Sequence, residues 1–186
     1  MATRTFIYFL FAISVLLCSC EKAELATTKE TYDIPSKADT QPDTIMNNHP
    51  KDERDGSAEY PFHAGDIAEG SLGLYLRSNN MELSDKWIVG YIVGYVQGTS
   101  ISKTVLQAGD TETNIVIADD PAETEAIRMV PVQLSTGSSY VDTRNALNLS
   151  AHPENLHAKV LVFGKICTYM STLGIKNTRK YSFSED

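Results

Sequence analysis

Cysteine is scarce in this chain: three residues in 186, at positions 18, 20 and 167. Two of them lie near the N-terminus, so the body of the protein holds one thiol and no internal disulfide framework can form. Positive charge is also in short supply, with 16 Lys and Arg against 24 Asp and Glu and a net charge of −8. Residues 59–186 alone carry 15 acids against 10 bases, a net −5. An acidic domain argues against nucleic-acid binding, where neutralising phosphates dominates affinity. Long hydrophobic runs are missing too. The apolar stretch Phe6–Leu17 spans 12 residues, short of the roughly 20 that a membrane-crossing helix needs. No G-x-S-x-G elbow occurs, and Gly137-Ser138-Ser139 reads as a serine-rich turn, so nucleophilic hydrolysis has no scaffold.

What is present at the N-terminus has the anatomy of an export signal: Arg4, the apolar run, then small residues and cysteines. Leu17-Cys18-Ser19-Cys20 resembles the bacterial lipobox, in which a small residue precedes the cysteine that is acylated. Ser19 before Cys20 fits that pattern better than Leu17 before Cys18. The expectation is a signal peptide over 1–19, a lipid on Cys20 holding the protein to a membrane, and a cell-envelope location, outer membrane with a periplasmic or surface-exposed domain. Cleavage and acylation leave Cys167, whose expected place is the core. Residues 20–58 are rich in Thr, Asp, Lys, Asn, Pro and Glu with no helical or strand period, which reads as a disordered tether.

The domain expected over 59–186 opens with a short helical segment, His63–Glu69, and a second stretch, Leu72–Arg77, that reads as helix or turn. Lys86–Gln97 is the strongest strand signal, dense in β-branched and aromatic residues and punctuated by Gly90 and Gly94. Its Trp87, Tyr91 and Tyr95 read as core. Further strands are expected at Asn114–Ala118, Met129–Leu134, Lys159–Tyr169 and Ile175–Phe183, with Pro131 pushing the third toward an edge or bulge. Asp142 starts a helix through Leu147, and Pro153–Leu156 makes a turn. The fold class is therefore mainly β, and the order β-β-β-α-β-β is that of a five-stranded OB-like Greek-key barrel.

Several segments in this order, Trp87–Gly94, Asn114–Asp119, Pro131–Leu134, Arg144–Leu149, Pro153–Leu156 and Gly174–Asn177, resemble an OB-like domain of unknown function found in exported Bacteroidota lipoproteins. The resemblance covers roughly residues 60–183 and implies the fold and an envelope location, with no catalytic residues to transfer. Where that family usually has a glycine after Pro-Glu-Asn-Leu, this chain has His157.

Candidate chemistry is thin. Asp119, Asp120, Glu123 and Glu125 gather oxygen ligands of the kind calcium favours, but they lack the spacing and glycine of an EF-hand loop and read equally as a hydrated turn. His152 and His157 are five residues apart, the wrong spacing for one helical face. No metal or cofactor site is expected. The most suggestive set is basic: Lys165, Lys176, Arg179 and Lys180 on the last two strands, interleaved with Tyr169 and Tyr181. With the loops 98–113 and 170–174 these would frame an OB ligand groove. The expected function is a non-catalytic binding module for a protein, glycan or other extracellular ligand. An oligonucleotide-binding or nuclease-associated lipoprotein and a structural component of a surface assembly are the alternatives.

Overall fold

The computed structural model describes residues 54–184. The expected signal peptide, Cys20 and most of the tether lie outside the described residues. Ten elements follow in chain order: β1 (Phe62–His63), α1 (Ala64–Ala68), α2 (Ser71–Ser78), β2 (Leu83–Val96), β3 (Thr104–Val105), β4 (Asn114–Ala118), β5 (Val130–Gln133), α3 (Val141–Leu147), β6 (Lys159–Tyr169) and β7 (Thr172–Phe183). Among the described residues no helix is long and apolar enough to cross a membrane.

Five strands close into a barrel. β2 is long enough to serve two partners, pairing antiparallel with β6 over Leu83–Tyr91 and with β4 over Tyr91–Gly94. β4 pairs antiparallel with β5, β5 lies parallel to β7 through Val132 and Ile175, and β7 returns antiparallel to β6. The cycle β2-β4-β5-β7-β6-β2, with α3 between its third and fourth strands, is the OB topology the element order implied. The two-residue strands β1 and β3 are additions along β2 that the sequence pattern did not reveal.

Inside the barrel the side chains are aliphatic. Ile88 and Ile92 of β2, Ile115 and Ile117 of β4, and Val160, Val162 and Ile166 of β6 are fully buried together, capped by Leu147 and Leu149 of the α3 region and by Ile67 and Leu76 of the two N-terminal helices. Each such side chain stabilises the fold by about 1.5–3 kcal/mol. Pro131 does not sit on a sheet edge as expected: β5 lies between β4 and β7, and its ladder with β7 is a single residue pair, so the missing N–H removes little.

Trp87 and Tyr91, expected in the core, lie instead half-buried on the outside of the barrel; only Tyr95 of the three is buried, at 7 % exposure. Strict alternation explains the first two, since Ile88 and Ile92 take the inner positions. A bulge between Ile92 and Gly94 then shifts the register. A Cβ at Gly94 would overlap the Val105 carbonyl oxygen, so this glycine admits β3 against β2.

The fold begins ahead of the boundary expected at 59. Arg54 makes two 2.8 Å bonds to the Asp66 carboxylate, and the Gly56 carbonyl accepts from Trp87 N–H at 2.8 Å. His157 stands in left-handed backbone, φ 69°, which is why glycine suits that turn. Its ring nitrogen Nδ1 lies 2.8 Å from the Pro121 carbonyl oxygen. The Cys167 thiol is buried, as expected.

Candidate functional site

In OB barrels the ligand commonly lies on the outer face of the second and third strands, between the loop after the first strand and the loop after the fourth. Here that face is apolar and covered. Val116 and Ala118 point outward from β4 and form a cluster with Val93, Val96 and Met129. The connection from β2 to β4, residues 97–113, crosses over this cluster and lays Ile101 on it, beside Met170. Ile101 N–H donates to the Met170 carbonyl at 2.9 Å, Thr104 Oγ1 donates to the Ile101 carbonyl at 2.6 Å, and Gln97 N–H donates to the Lys103 carbonyl at 3.0 Å. The loop is therefore a strap.

The opposite wall of the expected groove is not a loop at all. Residues 170–174 contract to a two-residue hairpin turn, Met170 and Ser171, with φ values of 51° and 65°. Both signs belong to a type I′ turn, which usually takes Asn-Gly. The expected groove between two long loops is thus corrected: one loop is a tight turn, and the other bridges to it.

The basic residues lie elsewhere, on the outer face formed by β2, β6 and β7. Lys165 pairs directly across the strands with Lys176, and Phe163 with Lys180. Between those pairs β7 carries a bulge, with Asn177 at φ 55°. The bulge turns Thr178 into the barrel and Arg179 out to solvent. Phe163 packs on Trp87 at 5.2 Å between ring centroids, and its ring receives the Arg179 guanidinium at 5.7 Å and the Lys180 ammonium at 5.6 Å. Further along, the Lys159 ammonium lies 5.5 Å from the Tyr91 ring centroid.

Two of these cations are partly neutralised: Lys165 pairs with Glu82, and Arg179 with Asp85. The Glu82 carboxylate bonded to Lys165 holds its ammonium charged to higher pH than usual. Lys176 has neither ion pair nor hydrogen bond to its side chain among the described residues. Like charges directly opposite on two strands are unfavourable, so the Lys165–Lys176 pair is a position where the fold tolerates repulsion.

Of the six residues singled out in the sequence, the structure gathers Lys165, Lys176, Arg179 and Lys180 on one face and leaves the two tyrosines out. Tyr181 pairs with Val162 and packs against the core. Tyr169 sits by the hairpin turn beside Gly174, and burial pushes its phenol above the usual range. The aromatic partners of the cations are Trp87 and Phe163. Alternation along β6, with Val160, Val162 and Ile166 inward, was the signal that puts Phe163 beside Lys165.

The acidic loop is structural. Asp119 Oδ1 accepts from Gly65 N–H at 3.0 Å, Asp120 Oδ1 from Ala122 N–H at 2.8 Å, and Glu123 Oε1 from Thr124 and Glu125 N–H at 2.8 Å. Arg128 lies within ion-pair distance of Glu69, Glu123 and Glu125. Among the described residues no three His, Cys, Asp or Glu side chains gather as a metal site. His152 meets Glu154 at 2.9 Å rather than His157.

Residues 75–184, more than half of the chain, match a family described as a domain of unknown function, DUF6359. The chain belongs to this family. No curated protein matches it. Among solved structures, the chain is similar to a chain of the Stn1–Ten1 complex of S. pombe, at 17 % identity and a TM-score of 0.33, over 56 % of this chain and 60 % of that one. The chain spans less than two thirds of that relative's length, and the OB assignment rests on the strand pairings above. As a DUF6359 domain, the molecule is a closed OB-like barrel with one strapped face and one open, basic face.

Proposed function

We propose that this DUF6359 protein is a lipid-anchored component of the bacterial cell envelope whose barrel is a non-catalytic binding module for an anionic extracellular ligand. The observation that carries the reading is the outer β2-β6-β7 face, where Lys165, Lys176, Arg179 and Lys180 surround the Trp87–Phe163 pair. Ammonium and guanidinium groups neutralise phosphate, sulfate or carboxylate, while half-exposed rings give sugars or bases a surface to stack on. The charge is local. It lies on a domain whose remaining surface is acidic, and such segregation steers an anion to one side. The Ser19-Cys20 junction supports the anchor, and the engagement of the acidic loop with backbone and Arg128 supports a structural role for those carboxylates.

The test is binding of a fluorescent sulfated glycan and of a fluorescent single-stranded oligonucleotide to the full chain in detergent, by anisotropy, at low and physiological salt. The reading expects affinity for at least one of them that falls steeply with salt. Absence of binding to both at low salt contradicts it. For the anchor, Cys20→Ala is expected to abolish incorporation of labelled fatty acid and leave an uncleaved precursor; normal processing of that variant contradicts the lipid assignment.

A further inference from the structure

Beside the strap, at the end of β2, a cleft of about 300 Å³ opens between the ends of the β2–β4 connection and the Met170 turn. Its chemistry differs from the basic face. Tyr95, Gln97, Asp110, Thr111, Thr113 and Met170 contribute to its walls, and no Lys or Arg does. Asn114, at its floor, is already used: its side chain joins Val96 N–H and carbonyl at 2.7 and 3.3 Å, extending the sheet in place of backbone. Thr111 and Thr113 hydroxyls bond each other at 3.1 Å.

Three other groups are left over. The Gln97 amide and the Asp110 carboxylate have no hydrogen-bond or ion-pair partner among the described residues, and both side chains are exposed. The Tyr95 hydroxyl is likewise unpartnered. Although its ring is buried against Gly109, where a Cβ would overlap it, this oxygen is not among the sealed polar atoms, of which Thr178 Oγ1 is the one identified. A phenol, an amide, a carboxylate and paired hydroxyls converge on one cleft beside the apolar Met170.

We propose that this cleft is a second binding site, for a neutral saccharide unit. The absence of a lining cation and the presence of Asp110 disfavour phosphate, sulfate and uronate groups, which repel a carboxylate. Vicinal sugar hydroxyls are both donors and acceptors, and a planar carboxylate or amide takes two of them at once. The volume stands at the low end for ligand sites and fits one or two rings. The site is independent of the anionic face, since the two share no residue.

The test is saturation-transfer NMR of the full chain in detergent with methyl glucoside, methyl galactoside, methyl mannoside and N-acetylglucosamine, each at millimolar concentration. The inference expects transfer to at least one sugar, unchanged between low and high salt, and at least a tenfold affinity loss in Asp110→Ala/Gln97→Ala, both exposed positions whose replacement leaves the barrel intact by circular dichroism. Tyr95→Phe, which keeps the ring, is expected to weaken binding several-fold. No transfer to any of the four sugars, or transfer undiminished in the double variant, overturns it. Salt-sensitive transfer would place the sugar on the basic face and overturn it as well.

Discussion

The half of β2 that pairs with β4 and the half that pairs with β6 present outward side chains of opposite character. Val93 and Val96 are apolar and lie under Ile101 of the strap, whereas Trp87 and Tyr91 stay half-exposed beside cations. One barrel thus spends its customary ligand face on a second small core and leaves the other side open. The lesson is that OB topology alone does not locate a binding surface; what covers each face does.

The largest effect should come from Gly94. Replacement by Val puts a branched side chain into the Val105 carbonyl, so the strap cannot close. The expected cost is about 3 kcal/mol, read by thermal denaturation, with the 97–113 segment becoming protease-sensitive while the basic face keeps its anion affinity. Equal loss of anion affinity would mean the two faces are not separate.

Next is the open face itself. Lys165→Ala, Lys176→Ala and Lys180→Ala together should weaken a sulfated or phosphorylated polymer by roughly a hundredfold at low salt, with the salt slope reduced in proportion to the phosphates released. Lys176→Thr by itself should weaken binding and raise the melting temperature by a degree or so, because it relieves the cross-strand repulsion with Lys165. A variant that bound less and was also less stable would remove the argument that the lysine pair is kept for a ligand.

Thr178→Val is a smaller change on the β7 bulge. The Thr178 hydroxyl is fully buried without a partner, so an apolar side chain of the same shape should stabilise by about 1 kcal/mol in chemical denaturation. Destabilisation would indicate that the hydroxyl has a partner in solution. The smallest effect concerns Cys167. Burial holds its thiol above the usual value of 9.0, and a group kept protonated by the fold stabilises below its unfolded pKa and loses that contribution as pH rises past it. Alkylation of the native protein at neutral pH should therefore be far slower than of the unfolded chain, with stability declining above about pH 9.

Much of this fold was legible because its main strands are written in β-branched residues. Asn114–Ala118 and Lys159–Tyr169 coincide with β4 and β6, and the helix between the third and fourth barrel strands fell where Asp142 pointed. Bulges were not legible. Gly94 and Asn177 change which side chains face outward, and each depends on a neighbour distant in sequence. The same holds for the strap, whose course is decided by an apolar patch on β4 and by Met170 rather than by its own composition. The basic half of the site could be read from sequence because all four cations lie on one hairpin. Its aromatic half could not, because Trp87 joins Phe163 only through the pairing of β2 with β6.

The most direct test of the two-face account is amide chemical-shift mapping of the labelled chain titrated with a sulfated oligosaccharide. The account predicts shifts concentrated at Trp87, Phe163, Lys165, Lys176, Arg179 and Lys180, with Val93, Val116, Ile101 and Met129 unmoved. Shifts centred on that second group, with the strap amides among them, would contradict it.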